Sequence, residues 1–223
     1  RTDLNIPDVQ KTLLEELVKT GKPVVLVLFT GRPLTLTWED KNVSAILNVW
    51  FGGTEAAYAI GDVLFGNVNP GGKLPVTFPQ NVGQIPLFYN HKNTGRPLAE
   101  GGWFEKFRAN YLDVTNEPLY PFGYGLSYAQ FDYSDVRLST DQIDRNGMLT
   151  ASVTVTNNSE CDGDEIVQLY IRDLVGSVTR PVKELKGFEK VTIRARESKD
   201  ISFKITPEML KFYNSDIQFV NEV

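Results

Sequence analysis

The stretch GGTEAAYAIGDVLFGNVNPGGKLPVTFP, from Gly52 to Pro79, leaves a chain few ways to fold. Gly52 and Gly53 break the apolar run before them, Thr54 stands where an N-cap belongs, and Glu55 puts a negative charge in the first helical turn. Ala57, Ile60, Leu64 and Phe65 recur at helical spacing, which predicts one buried face, and Gly66 falls where a left-handed C-cap is needed. Asn69-Pro70-Gly71-Gly72 then makes a sharp turn, since proline presets one dihedral and glycine permits positive ones. Leu74 to Phe78 reads as a short strand. Pro75 removes a ladder donor from it, which places the strand at a sheet edge.

The residues before this stretch extend the same layout. Val9, Leu13, Leu14, Leu17 and Val18 predict the buried face of a helix over Asp8 to Thr20, closed by Gly21. Pro23 to Phe29 (PVVLVLF) is a continuous apolar run that suits a strand covered on both faces, as in a parallel sheet. After a polar patch around Glu39 to Asn42, Ala45 to Phe51 (AILNVWF) reads as a second fully apolar strand. Helix, strand, connection, strand, helix, strand is an α/β order. So few buried strands would leave apolar surface at the sheet's sides, so further strands are expected ahead of Arg1.

From Gln80 to Asn116 the periodicity fades into a long irregular segment, a length that is uncommon unless the loop is functional or wraps another domain. It carries Phe88, Tyr89, Trp103, Phe104, Phe107 and Tyr111. An aromatic junction follows, PLYPFGYGLSY from Pro118 to Tyr128. Past Phe131 the pattern is β-rich, with strands at Tyr133–Leu138, Leu149–Val155, Ile166–Ile171, Phe188–Ile193, Asp200–Ile205 and Gln218–Val220, separated by turns at Asn146-Gly147, Asn157-Asn158 and Asp162-Gly163. Short strands at this spacing point to a β-sandwich. The expected division is 1–117, an α/β domain; 118–130, the junction; and 131–223, the β-sandwich.

Composition excludes several classes. With 41% hydrophobic residues the 223-residue chain can build ordinary cores, and a net charge of −5 leaves no basic stripe for nucleic acid. No run approaches the ~20 apolar residues of a membrane span, and none reads as a signal peptide. Cys161 is the single cysteine and cannot pair internally. Cysteine and histidine are not clustered and the carboxylates are scattered, so neither a metal site nor a cofactor is expected. Glu55 and Asp62 lie two helical turns apart, which suits a cap charge and a structural hydrogen bond better than a catalytic pair. His91 has no nucleophile beside it in sequence, so a loop hydrogen bond is favoured over a base. Gly52-Gly53 and Gly123-Tyr124-Gly125 lack the context of a phosphate cradle.

The segments GKPVVLVLFTGRPL, ILNVWFGGTEAAYAIGDVLFGNVNPGGKLPVTFP, VGQIPLFYNHKNTGRP and PLYPFGYGLSYAQF, in this order and spacing, resemble the C-terminal half of glycoside hydrolase family 3 enzymes, in particular the bacterial periplasmic beta-glucosidase type. The resemblance implies part of an α/β sandwich domain followed by a fibronectin type III-like domain. Such a domain has about seven strands, and only six are legible, so its last strand or strands are expected to be missing. It also implies an exo-acting retaining beta-glucosidase, with beta-xylosidase, N-acetylglucosaminidase or a non-catalytic carbohydrate-binding or scaffolding module as alternatives. A retaining glycosidase uses two carboxyl groups ~5–5.5 Å apart, a nucleophile and an acid/base. In this family the nucleophile is an Asp of a TIM-like barrel and the acid/base of this subtype is a Glu just before the Ser-Arg-Thr that opens the second domain. Both are then expected upstream of Arg1, leaving this segment inactive alone. Arg1 is expected near the acid/base, where a cation favours the ionised carboxyl. The implied compartment is the periplasm or the exterior.

Within the chain the candidate substrate-binding residues are Trp103, Phe107, Arg108 and Tyr111 in the loop GGWFEKFRANY, with Arg1 ahead of them. Sugars present apolar CH faces rimmed by hydroxyls, so aromatic rings with Arg108 or Asn110 suit an aglycone-side wall. The competing reading packs these rings against protein and pairs Arg108 in a salt bridge.

Overall fold

The apolar runs near residues 25 and 46 pair as a parallel sheet: β1 (Val25–Leu28) lies beside β2 (Ala45–Asn48), with Val25 opposite Ala45 and Leu28 opposite Asn48. These are features of a computed structural model that describes residues 2–99 and 101–222. Before β1 runs α1 (Asp8–Lys19), and Gly21 follows it at φ 71°, the left-handed position that glycine occupies without steric cost. After β2 comes α3 (Ala56–Leu64), closed by Gly66 at φ 78°. Between the strands the expected polar patch is a short helix, α2 (Thr37–Asn42). Six residues are too few for periodicity to declare itself.

Four further expectations need correction. Glu55, not Thr54, holds the N-cap position of α3, with no side-chain cap bond. Leu74 to Phe78 is not a strand: it bends at Pro75 and Val76 and lies beside residues 119–124, joined by Leu74 N to Tyr124 O at 2.7 Å and Phe78 N to Tyr120 O at 2.8 Å. Pro75 and Pro79 supply no donor, which keeps this pairing from becoming a ladder. AILNVWF is not wholly apolar, because the Asn48 carboxamide is buried with neither of its polar atoms hydrogen-bonded. Finally, the apolar faces are largely open. Val9 and Leu13 on α1, Phe29 after β1, and Tyr58 and Phe65 around α3 are exposed, and no residue of α3 is buried. Among the described residues the sheet of the first unit has only two strands, so these faces have nothing to pack on.

The core that does form gathers Ile6, Leu14, Leu28, Leu34, Leu36 and Phe78, with Trp38, Ile46, Trp50 and Tyr120 against it. Tyr120 donates its hydroxyl to Asp40 Oδ1 at 2.6 Å. Burial first, and that hydrogen bond second, push the Tyr120 phenol well above its ordinary value. The folded state therefore holds the proton more tightly than the unfolded chain. The stabilisation is complete below the unfolded tyrosine value of about 10 and is lost as pH rises above it, at up to about 1.4 kcal/mol per pH unit. Alkaline denaturation of Tyr120→Phe is expected to show a shallower slope above pH ~10.

By internal contacts the chain divides into two units. The first comprises residues up to Asn67, Leu74–Tyr89 and Thr94–Tyr124; the second Val68–Lys73, Asn90–Asn93 and the residues from Gly125. The second is all-β, with β3 (Phe131–Tyr133), β4 (Arg137–Leu138), β5 (Leu149–Asn157), β6 (Gly163–Ile171), β7 (Glu184–Ile193) and β8 (Ser198–Ile205), a helical turn α4 (Pro207–Leu210), then β9 (Phe212–Tyr213) and β10 (Phe219–Val220). The strand expected over Tyr133–Leu138 is two short ones, β3 and β4.

Central β5 pairs antiparallel with β8 and with β3 and β4, while β6 pairs with β7 and β9 with β10. Strand alternation sends Val153 and Val155 inward to meet Val167, Val191, Ile193 and Ile201. It turns Ser152, Thr154 and Thr156 outward, where they bond Ser202, Asp200 and Ser198 of β8.

Candidate functional site

The loop that bears the candidate residues is held from beneath by amides. Gln84, buried at the end of a short 3-10 turn (Val82–Gln84), accepts from Gln80 N at 2.7 Å and donates to the carbonyls of Thr115 and Glu117, each at 3.0 Å. Asn116 donates to Ala109 O at 2.8 Å and accepts from Tyr111 N at 3.3 Å. Ala109 N reaches Arg96 O at 2.8 Å, so the segment doubles back on itself. Nothing in the sequence marked Gln84 or Asn116 for this work, because an amide's partners are fixed only by the folded path.

The tip is a turn from Glu105 to Arg108, closed by Arg108 N to Glu105 O at 3.1 Å, with Phe107 at φ 66°. A bulky residue seldom takes this left-handed conformation, and here it projects a ring that is 72% exposed. Lys106 Nζ lies 4.9 Å from the centroid of that ring. Arg108 Nε pairs with Glu105 Oε1 at 3.1 Å across the same turn. Trp103 is 52% exposed, and Phe104 and Leu112 are exposed as well. Tyr111 stands apart, its hydroxyl 3.5 Å from Gln84 O at the loop's base. The structure thus brings Phe107 and Arg108 together at the tip and places Tyr111 below. Arg1 lies outside the described residues.

The other sequence candidates are plain by comparison. Asp62 accepts from Asn67 Nδ2 at 3.2 Å, and the exposed His91 has its Nδ1 3.3 Å from Lys92 O. Glu165, a buried carboxylate, is held by Lys73 Nζ at 3.0 Å and by the Tyr133 hydroxyl at 2.8 Å. Those contacts commit it to structure. Among the described residues no group of three or more His, Cys, Asp or Glu could hold a metal ion, and no helix is long and apolar enough to cross a membrane.

An α/β unit with an aromatic surface loop, continued by an antiparallel β-sandwich, is the class that fold and loop define. Residues 1–128 match the glycosyl hydrolase family 3 C-terminal domain and residues 165–222 the fibronectin type III-like domain, so the chain belongs to glycosyl hydrolase family 3. It is 52% identical over 98% of its length to a periplasmic beta-glucosidase of Salmonella typhimurium, covering 28% of that protein. It is 45% identical over 100% of its length to a beta-xylosidase of Formosa agariphila, covering 30%. Among solved structures, a beta-glucosidase from Listeria innocua superposes with a TM-score of 0.92 at 42% identity, over 98% of this chain and 30% of that one. The chain therefore spans under a third of the length of these relatives.

Proposed function

We propose that this chain is the C-terminal segment of an exo-acting retaining beta-glucosidase that hydrolyses terminal non-reducing β-D-glucosyl residues. The observation that carries the reading is the superposition, at a TM-score of 0.92 over 98% of the chain, on a Listeria innocua beta-glucosidase that was also crystallised with glucose. Family membership and the Salmonella relative support it. In this proposal both reactive carboxyls, and a TIM-like barrel bearing the nucleophile, belong to the much longer polypeptide that the relatives' lengths imply. The acid/base lies just ahead of Arg1. The same polypeptide covers the open faces of α1, β1 and α3. The compartment proposed with it is the periplasm or the exterior. A second reading, beta-xylosidase, is favoured by the Formosa relative.

The test compares the isolated chain with the complete enzyme. The enzyme is expected to release nitrophenol from an aryl β-glucoside faster than from the β-xyloside, and the 223-residue chain to release none. Turnover by the chain alone would overturn the division of labour, and a preference for xyloside would select the second reading.

In the same proposal Trp103, Phe107, Arg108 and Tyr111 form part of the aglycone-side wall, and Arg1 stands beside the acid/base. The exposed rings of Trp103 and Phe107 and the neighbouring guanidinium offer the apolar faces and donors that a second sugar needs. In the complete enzyme, Trp103→Ala is expected to lower kcat/KM for a disaccharide about tenfold relative to an aryl glucoside, ~1.4 kcal/mol. An unchanged ratio of the two substrates would remove Trp103 from the wall.

A further inference from the structure

We propose that the turn from Glu105 to Arg108 binds a planar aromatic group that carries a carboxylate, taking the ring on Phe107 and the charge on Lys106. The first observation is where the charges fall. The chain as a whole carries −5, yet residues 103–111 (WFEKFRANY) hold two cations, Lys106 and Arg108, against the single carboxylate of Glu105. Arg108 Nε takes that carboxylate at 3.1 Å, and among the described residues Lys106 makes no ion pair. Its Nζ lies instead over the Phe107 ring, 4.9 Å from the centroid. The tip thus presents an unpaired ammonium beside an exposed aromatic face.

The second observation is the backbone. Phe107 holds φ 66° in a turn closed by Arg108 N to Glu105 O at 3.1 Å and braced where Glu105 N donates to Asn110 Oδ1 at 3.4 Å. A bulky side chain enters this region at a cost, which a fold sustains only where the surroundings dictate it. Burial does not offset that cost, because 72% of Phe107 is exposed. What the strained turn achieves is to present ring and ammonium together. Aromatic pairs settle offset or edge-on with centroids about 4.5–7 Å apart, so a benzene ring seated on Phe107 brings a carboxylate on its rim within reach of an ammonium 4.9 Å from the Phe107 centroid. A hydrocarbon ring would leave Lys106 unused, and a small anion would leave Phe107 bare. An aryl acid uses both. It has two sources, the aglycone of a phenolic-acid glucoside or the free acid; the first joins this site to the aglycone-side wall proposed above, and the second does not need that wall.

The experiment has two arms, both with the complete enzyme at neutral pH and at low and high salt. In the first, kcat/KM is read for 4-carboxyphenyl β-glucoside and for 4-carbamoylphenyl β-glucoside, which has the same shape without the charge. Lys106→Gln is expected to lower the ratio of acid to amide about fivefold, the upper end of what an exposed ion pair supplies. Lys106→Arg is expected to keep the ratio, and salt to shrink it in the wild type. In the second arm, free 4-hydroxybenzoate and 4-hydroxybenzamide are compared by saturation-transfer NMR, and the same salt-sensitive, Lys106-dependent preference for the acid is expected. Phe107→Gly keeps the turn, since glycine takes φ 66° without steric cost, and is expected to weaken acid and amide alike without lowering the melting temperature. A Lys106-dependent preference in the first arm assigns the ligand as an aglycone. The same preference in the second arm alone assigns the free acid and removes this turn from the wall. If Lys106→Gln moves neither arm, the proposal fails, and the substrate ratio of Trp103→Ala decides the wall separately. Losses in Phe107→Gly without any in Lys106→Gln would show an apolar surface that reads no charge, which overturns the proposal as well.

Discussion

Phe78→Ala is expected to destabilise the first unit by about 3–5 kcal/mol, a large share of the 5–15 kcal/mol that holds a typical domain. Phe78 is 1% exposed and heads the fully buried side chains by volume. Its ring meets Trp50 edge-on at 5.9 Å and tilts against Tyr120 at 6.1 Å, so truncation removes two aromatic contacts along with its buried area. The cavity would open where segment 74–78 joins residues 119–124. There Phe78 N donates to Tyr120 O at 2.8 Å and Phe78 O accepts from Leu119 N at 2.9 Å. Those bonds survive only while the side chain anchors the segment. Urea denaturation followed by tryptophan fluorescence measures the effect. Phe65→Ala is the control: that ring is 85% exposed in this chain, and its loss is expected to cost under about 0.5 kcal/mol. Comparable losses for the two variants would contradict the core as described.

The contrast between Phe78 and Phe65 also shows what a sequence can disclose. Periodicity placed α1, β1, β2 and α3, and glycine placed their ends at Gly21 and Gly66. It marked Phe65, Leu13 and Val9 as core, and in this chain they are exposed. An apolar stripe records that a face is to be covered without naming the covering element. Phe78, in a proline-broken segment without clear period, is the residue the core closes on. The β-sandwich was more legible, because alternation in β5 and β8 is satisfied within the same unit. Of the candidate loop, its aromatic content could be read from composition. Its shape could not, because the path depends on Gln84 and Asn116 bonding to carbonyls 7 to 33 residues away.

The second large effect lies in the polar interior of the second unit. Glu165→Leu is expected to cost that unit about 3–5 kcal/mol, although it replaces a charge with an apolar side chain of similar size. Lys73 Nζ and Glu165 Oε2 are 3.0 Å apart with side chains only 14% and 10% exposed. Removing the carboxylate leaves the ammonium poorly solvated, with its bond to Gly125 O at 2.8 Å still in place, and deprives the Tyr133 hydroxyl of its acceptor. Desolvating both charges already cancels much of their attraction, so the pair as a whole contributes little net stability. The double variant Lys73→Met/Glu165→Leu is therefore expected to recover most of the loss. A remainder of about 1–3 kcal/mol is assigned to the unsatisfied Tyr133 hydroxyl, and adding Tyr133→Phe should remove it.

The Tyr133 phenol is pushed above its ordinary value by burial and then by its bond to Glu165, so the same group also titrates late. The cluster holds the turn from Val68 to Lys73, and other contacts in the unit reinforce that placement. Asn69 Oδ1 accepts from Ser127 Oγ at 2.8 Å and from Tyr128 N at 2.9 Å, and Asn69 Nδ2 donates to Asp162 O at 3.0 Å. A side chain at Gly71 would meet Asp164 Cβ at 2.7 Å, so only glycine lets the turn lie this close. Thermal or urea unfolding of the single, double and triple variants decides the matter. A double variant as unstable as either single would show that the ion pair stabilises the turn outright, and additive losses would show that the two residues act independently. Recovery would show that burying Lys73 and Glu165 together fixes where the turn sits, while the bonds of Asn69 and the close approach at Gly71 keep it there.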